Sequence, residues 1–127
     1  MKNSGSGFGA STPQQEINAL LLKHSQNGQI VVRLKGGDAT IFGRLDEEID
    51  ACEAAEIEWS IVPGITAASA AVAAIGQSLT RRQRNASVKF LTGHDMHGFH
   101  EQEWQALAQP NTVAAIYMGK KSARFIH

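Results

Sequence analysis

The stretch Gln29-Ile30-Val31-Val32-Arg33-Leu34-Lys35-Gly36-Gly37-Asp38 decides how the chain is read. Gln29 to Leu34 is short, β-branched and mostly apolar, the composition of a buried strand. Lys35-Gly36-Gly37-Asp38 ends it sharply. Two glycines at the C-terminal end of a strand let a ligand approach the main chain, and Asp38 adds an acceptor at the edge where open α/β sheets bind ligands. Taken alone, the same turn fits a purely structural role equally well. It is not a phosphate loop, because the Gly-Lys-Ser/Thr ending is absent. Ile41-Phe42-Gly43-Arg44 follows, and then Asp46-Glu47-Glu48. Arg44 stands at the mouth of a helix whose dipole opposes a cation, so it needs an anionic partner. That partner is either Glu47 in a local salt bridge or a ligand carboxylate held bidentately.

Working outward, Thr12 fits a helix N-cap, with Pro13 at the first helical position and Gln15 closing a capping box. Ile17, Leu20, Leu21 and His24 recur at helical spacing, and Asn27-Gly28 supplies the stop. Residues 1–11, rich in Gly and Ser, read as a flexible leader. Leu45 to Glu56 is the next helix, with Ile49, Cys52 and Ala55 or Glu56 on its inner edge. Seven acids and no base lie between Asp46 and Glu58, which predicts a negative, solvated outer face. Ile57 to Val62 resembles a second strand, ended by Pro63-Gly64, and Thr66 to Ile75 is a helix of small residues. Val88 to Leu91 and Thr112 to Met118 read as further strands, with a short helix around Trp104 between them. Lys120 to Ile126 begins another helix. This alternation predicts an α/β architecture with a largely parallel sheet and flanking helices, incomplete at both ends.

Twelve basic residues balance twelve acidic ones, so no whole-molecule field draws the chain to nucleic acid or acidic lipid. No apolar run approaches the roughly 20 residues of a spanning helix, and the start carries no secretory signal, which predicts a cytoplasmic protein. The single cysteine, Cys52, excludes an internal disulfide and reads as a small core residue. Arg81-Arg82-Gln83-Arg84 is either a solvated loop or a site for an acidic small molecule. His94, His97 and His100 recur at every third position, but Gly98 and the loop composition argue against a regular helix face, so no metal is expected.

Together these segments resemble the uroporphyrinogen-III C-methyltransferases, the tetrapyrrole methylase family that also forms the C-terminal part of sirohaem synthases. The matching residues begin with Pro13-Gln14-Gln15-Glu16-Ile17-Asn18, Val31 through Asp38, and Ile41-Phe42-Gly43-Arg44. They continue through Val62-Pro63-Gly64-Ile65-Thr66-Ala67-Ala68-Ser69, Leu79-Thr80, Thr92-Gly93-His94 and Tyr117-Met118-Gly119, spanning about residues 12 to 120. The resemblance implies a two-lobed α/β fold that binds S-adenosylmethionine between its lobes, leaving S-adenosylhomocysteine as product. Residues 12–78 would then belong to the first lobe, and 79–127 to the link and the start of the second. It implies cofactor contacts at Gly36, Gly37, Asp38, Ile41, Thr66, Ala67 and Met118, and tetrapyrrole contacts at Arg44, Glu47, Arg82 and Met118. Arg44 has been cast as a catalytic base in this family. A guanidinium with a pKa above about 12 suits a clamp on substrate carboxylates better. A homodimer or a complementing chain is the partner expected besides the tetrapyrrole.

The departures from the family pattern are specific. The opening strand with its Gly-Pro-Gly-Asp loop has no counterpart, and Gly5-Ser6 and Ala10 stand where a Lys-Arg pair and a His are usual. A candidate proton-donor lysine is therefore absent. Ala39-Thr40 replaces a Pro-aromatic pair, Leu45-Asp46 a Gly-Gly pair, and Gln77-Ser78 an Ile-Pro pair. Most of the second lobe, with part of the adenine pocket, is unmatched. The expected function is thus C-methylation of uroporphyrinogen III to precorrin-2, with this chain alone inactive. The alternative is a non-catalytic remnant or interaction subunit that retains the methylase fold.

Overall fold

The computed structural model describes residues 11–93 and 101–118, which fall in two compact units, Met1–Gly64 and Ile65–His127. The first unit is built on two helices. Helix α1 (Gln14–Gln26) follows from the apolar spacing, and its Ile17 and Leu21 are the buried apolar residues of the described chain. Its cap differs from the expected one. Pro13 holds the N-cap position with φ −57° and ψ 140°, Thr12 lies one residue outside, and no side chain caps the helix. The Pro13 carbonyl accepts from the Glu16 and Ile17 amides instead. At the other end Asn27 is the C-cap and Gly28 takes φ +74°, as the Asn-Gly stop requires.

Helix α2 (Leu45–Ala54) packs against α1. Asp46, Glu47 and Glu48 in its first turn complement the positive end of the dipole. The acids do not all face solvent as expected: Glu48 is only 3% exposed and sits inside.

The expected strands at 29–34 and 57–62 are not strands in the structure. Among the described residues, no backbone–backbone hydrogen bond reaches 29–35 or 58–63. A strand exists only through a ladder partner, and none is supplied here. Burial also fails: Ile30 is 97% exposed, Val32 67%, Leu34 64% and Val62 81%. The strand rhythm survives in the alternation, since Val31, Arg33 and Lys35 are half-buried between those exposed neighbours.

In the second unit, helix α3 (Ala67–Ala74) is capped by Thr66 and Ile75 and buries none of its small side chains. Strands β1 (Ser87–Thr92) and β2 (Thr112–Tyr117) pair in parallel, in register from Ser87↔Thr112 to Thr92↔Tyr117. A parallel pair needs a crossover, and helix α4 (Glu101–Leu107) lies within it and packs on β2. Both strands and α4 fall where apolar content and length predict them. The leader up to residue 10, the three histidines and the helix at 120–126 lie outside the described residues.

Candidate functional site

In the first unit the chain from Lys35 to Arg44 folds into a closed loop anchored on α2. Lys35 Nζ donates to the Gly43 carbonyl and to Glu48 Oε2 at 2.9 Å. Arg33 Nε donates to Glu48 Oε1 at 3.0 Å, and Gln14 Nε2 reaches the same oxygen at 3.2 Å. Burial pushes the Glu48 carboxyl up, but the Lys35 and Gln14 hydrogen bonds and the cationic charge outweigh it, leaving Glu48 below its ordinary value. One buried carboxylate thus ties the end of the 29–35 segment, the loop and both helices together.

Gly43 is required at the loop's closing point. A Cβ there would stand 2.6 Å from the Ala39 carbonyl oxygen. Phe42 and Arg44 on either side hold left-handed φ angles of 51° and 52°. Such backbone in non-glycine residues costs about 1–3 kcal/mol each and persists where surrounding bonds over-determine it. The Lys35 anchor on Gly43 is such a bond.

Asp38 organises the outer turn. Its Oδ1 accepts from the Thr40 amide at 2.8 Å and the Thr40 hydroxyl at 2.6 Å, while Oδ2 accepts from the Gly64 amide at 3.3 Å. The two Thr40 bonds, with a lesser contribution from the Gly64 bond, hold this carboxyl below its usual range although desolvation opposes them. The turns after both apolar segments therefore meet at one edge. Gly64 permits this closeness, since a Cβ there would run into the Gly37 carbonyl oxygen. Gly36 faces open space, and Gly37 has φ +70°.

Arg44 finds its anionic partner in Glu47, through Nε–Oε1 at 2.7 Å and Nη2–Oε2 at 2.8 Å. This fork, with the charges of the neighbouring acids, raises the guanidinium pKa still further. Arg44 is a permanently charged bidentate donor on the surface, with its side chain 61% exposed.

In the second unit, the Tyr117 hydroxyl shares a 2.5 Å hydrogen bond with Thr66 Oγ1 and accepts from the Ala68 amide at 3.3 Å. The ring meets Phe90 edge-on at 5.8 Å. Thr66 spends its hydroxyl on Tyr117, which explains why α3 lacks a side-chain cap. Met118 follows with φ 54° and is half-exposed. Arg82 lies in an exposed turn closed by the Arg81↔Asn85 bridge.

Gly36, Gly37, Asp38, Ile41, Arg44 and Glu47 thus share one loop system of the first unit. Thr66, Ala67 and Met118 gather around the end of β2 in the second, where Arg82 stands on a separate turn. Among the described residues no three His, Cys, Asp or Glu side chains are placed to hold a metal ion. None of their helices is long and apolar enough to cross a membrane. Sequence reasoning passed over Lys35, Glu48 and Tyr117 as individual actors. A signal existed for Glu48, which stands three residues after Leu45 and four before Cys52, on the inner edge of α2. Tyr117 gave none, because its partners lie about fifty positions away.

Comparison with known proteins gives a consistent result. A family model described as Tetrapyrrole (Corrin/Porphyrin) Methylases matches residues 2–126. Siroheme synthase 1 of Aeromonas hydrophila is 52% identical over 107 residues, covering 84% of this chain and 23% of that protein. Siroheme synthase of Tolumonas auensis is 51% identical over 109 residues, covering 86% and 23%. The crystal structure of uroporphyrin-III-C-methyltransferase from Thermus thermophilus superposes with a TM-score of 0.61 at 44% identity, over 66% of this chain and 38% of that one. The chain spans about a quarter of the length of the curated relatives it matches.

Proposed function

Because this chain belongs to the tetrapyrrole (corrin/porphyrin) methylase family, we propose that it forms part of a catalytic unit for C-methylation of uroporphyrinogen III. The products are precorrin-1 and then precorrin-2. The observation that carries this reading is the Gly36-Gly37-Asp38 turn, open at Gly36 and fixed to Gly64 through Asp38. Bare main chain beside an oriented carboxylate suits a ligand with hydroxyl and ammonium groups, as S-adenosylmethionine has.

S-adenosylmethionine would supply an electrophilic methyl group on sulfonium. In this reading Gly36, Gly37, Asp38 and Ile41, with Thr66, Ala67 and Met118, hold it. Arg44 and Arg82 hold substrate acetate or propionate groups, and Glu47 and Met118 face the macrocycle. A pyrrole carbon is the nucleophile, so the chain's task is orientation, followed by loss of a ring proton. Arg44 is not the base that takes it, since Glu47 raises an already high pKa. Glu47 occupies the fork of Arg44 as a substrate carboxylate would, and the incoming acid displaces it.

Calorimetric titration with S-adenosylhomocysteine tests the reading. Saturable binding near micromolar, about −8 kcal/mol, weakened in Asp38→Ala, is the expected result. No heat from a folded sample would leave the competing reading, a methylase fold without the cofactor site. The 127-residue chain alone is expected to leave uroporphyrinogen III unmethylated. Mass-detected turnover that Arg44→Ala abolishes would overturn that expectation.

A further inference from the structure

Two consecutive glutamates of α2 grip one junction of the chain from opposite sides. Glu48, its side chain 4% exposed, binds Lys35, and Lys35 Nζ donates on to the Gly43 carbonyl. Glu47 holds the Arg44 guanidinium from the solvent side. The Lys35 side chain is itself only 11% exposed, and a Cβ at Gly43 would stand 3.1 Å from its Cε. The inner grip is thus packed as well as bonded. The outer grip lies in water. Asn18 Nδ2 of α1 donates to the Glu47 carbonyl at 3.4 Å, which holds the main chain of α2 whatever the Glu47 side chain does.

The main chain between the grips is strained. Phe42 and Arg44 hold φ angles of 51° and 52°, a region that non-glycine residues leave when nothing keeps them there. Arg44 takes this conformation as the N-cap of α2, and no side chain caps the helix. If its φ relaxed, its Cβ would turn and the guanidinium fork would leave its present place. A substrate carboxylate that takes the fork displaces Glu47, so the outer grip is lost on binding. The inner grip survives that exchange, because Lys35 bonds to the main chain and not to the guanidinium. Nor does Lys35 meet the substrate, since its ammonium is buried and directed at Gly43 and Glu48.

We propose that Lys35 is a positioning residue for Arg44. It holds Gly43 so that Arg44 keeps its left-handed backbone, and the fork stays aimed, after Glu47 lets go. The proposal rests on the reading of Arg44 as a clamp for substrate carboxylates.

Nuclear magnetic resonance on the 127-residue chain tests it. A left-handed residue brings its own amide and Hα protons close together, giving a strong cross-peak. That peak should be strong at Arg44 in the parent, in Glu47→Ala and in Glu48→Gln, and weak in Lys35→Met. Glu48→Gln is the decisive control, because it destabilises the fold yet still offers Lys35 an oxygen. A merely structural role for the cluster would move both variants alike. Lys35→Met leaves Arg33 paired with Glu48 and strands no charge. Lys35→Gln, one atom short of Gly43, replaces it if it does not fold. Fluorescence titration with uroporphyrin III, the oxidised counterpart of uroporphyrinogen III, then reads the consequence. Affinity should fall on the order of tenfold in Lys35→Met, as when about one conformer in ten is competent, and should hold in Glu48→Gln. The proposal is overturned by a parent without the strong peak, by a Lys35 variant that keeps it, or by its loss in Glu47→Ala or Glu48→Gln. A lost peak with undiminished uroporphyrin III affinity overturns it too. If the peaks behave as expected but uroporphyrin III does not bind even the parent, the clamp reading of Arg44 fails and the hold of Lys35 on its backbone stands.

Discussion

At Glu48 the inner side of α2 carries a carboxylate among Leu45, Ile49 and Cys52, and Arg33, Lys35 and Gln14 converge on it. Removing one member of a buried ion cluster strands the others, which costs about 3 kcal/mol. Glu48→Gln is therefore expected to lower urea stability by that amount at pH 7. The pH dependence follows from the lowered pKa. The unfolded chain binds the Glu48 proton more readily, so the contribution is complete above the ordinary glutamate range, near pH 4.3. It fades as pH falls through the depressed folded value, and urea curves between pH 7 and 3 should lose less in Glu48→Gln than in the parent. The glycines separate by role. Gly64→Ala drives a Cβ into the Gly37 carbonyl, and neither backbone can yield cheaply. A loss of about 1–3 kcal/mol, with a shifted residue-64 amide resonance, is expected. Gly36→Ala meets nothing within 4 Å and should leave stability unchanged.

At the scale of elements, the segments 29–34 and 57–62 present Ile30, Val32, Leu34, Trp59, Ile61 and Val62 to solvent. Exposed apolar edges of this kind recruit other chains, and a lysine on them blocks that pairing. Val32→Lys should lower hydrophobic-dye binding and the light-scattering mass at high concentration, while the helical circular dichroism stays the same. The same two segments mark how far the sequence could be read. Helices α1 to α4 and the positions of β1 and β2 are legible in apolar spacing and length, whereas the β1–β2 pairing, Ser87 to Thr112, is a distant contact that neither reports. Composition reports what a segment would bury, not whether a neighbour exists to bury it, so 29–34 read as a buried strand. The loop was half-legible: the glycines and Arg44 stood out, and the choice between Glu47 and a ligand needed coordinates. Lys35 carries no sequence mark of its reach to Gly43 and Glu48, which lie 8 and 13 positions further on.

For the whole molecule, the balance of twelve cations against twelve anions puts the isoelectric point near 7.0. A chain without net charge has little colloidal repulsion, and eleven large apolar side chains are exposed among the described residues. Solubility should pass through a minimum near pH 7 and rise toward pH 5 and pH 9, as measured by the protein left in solution after centrifugation. A monotonic profile would mean that strand-edge pairing, not charge, limits solubility.

The chain contains one tyrosine, and it is Tyr117. Its hydroxyl is held between Thr66 Oγ1 and the Ala68 amide while its ring leans on Phe90. The joint between β2 and α3 therefore carries its own optical gauge. Derivative ultraviolet absorption of that phenol follows the joint as it opens, without a label and without interference from any other tyrosine.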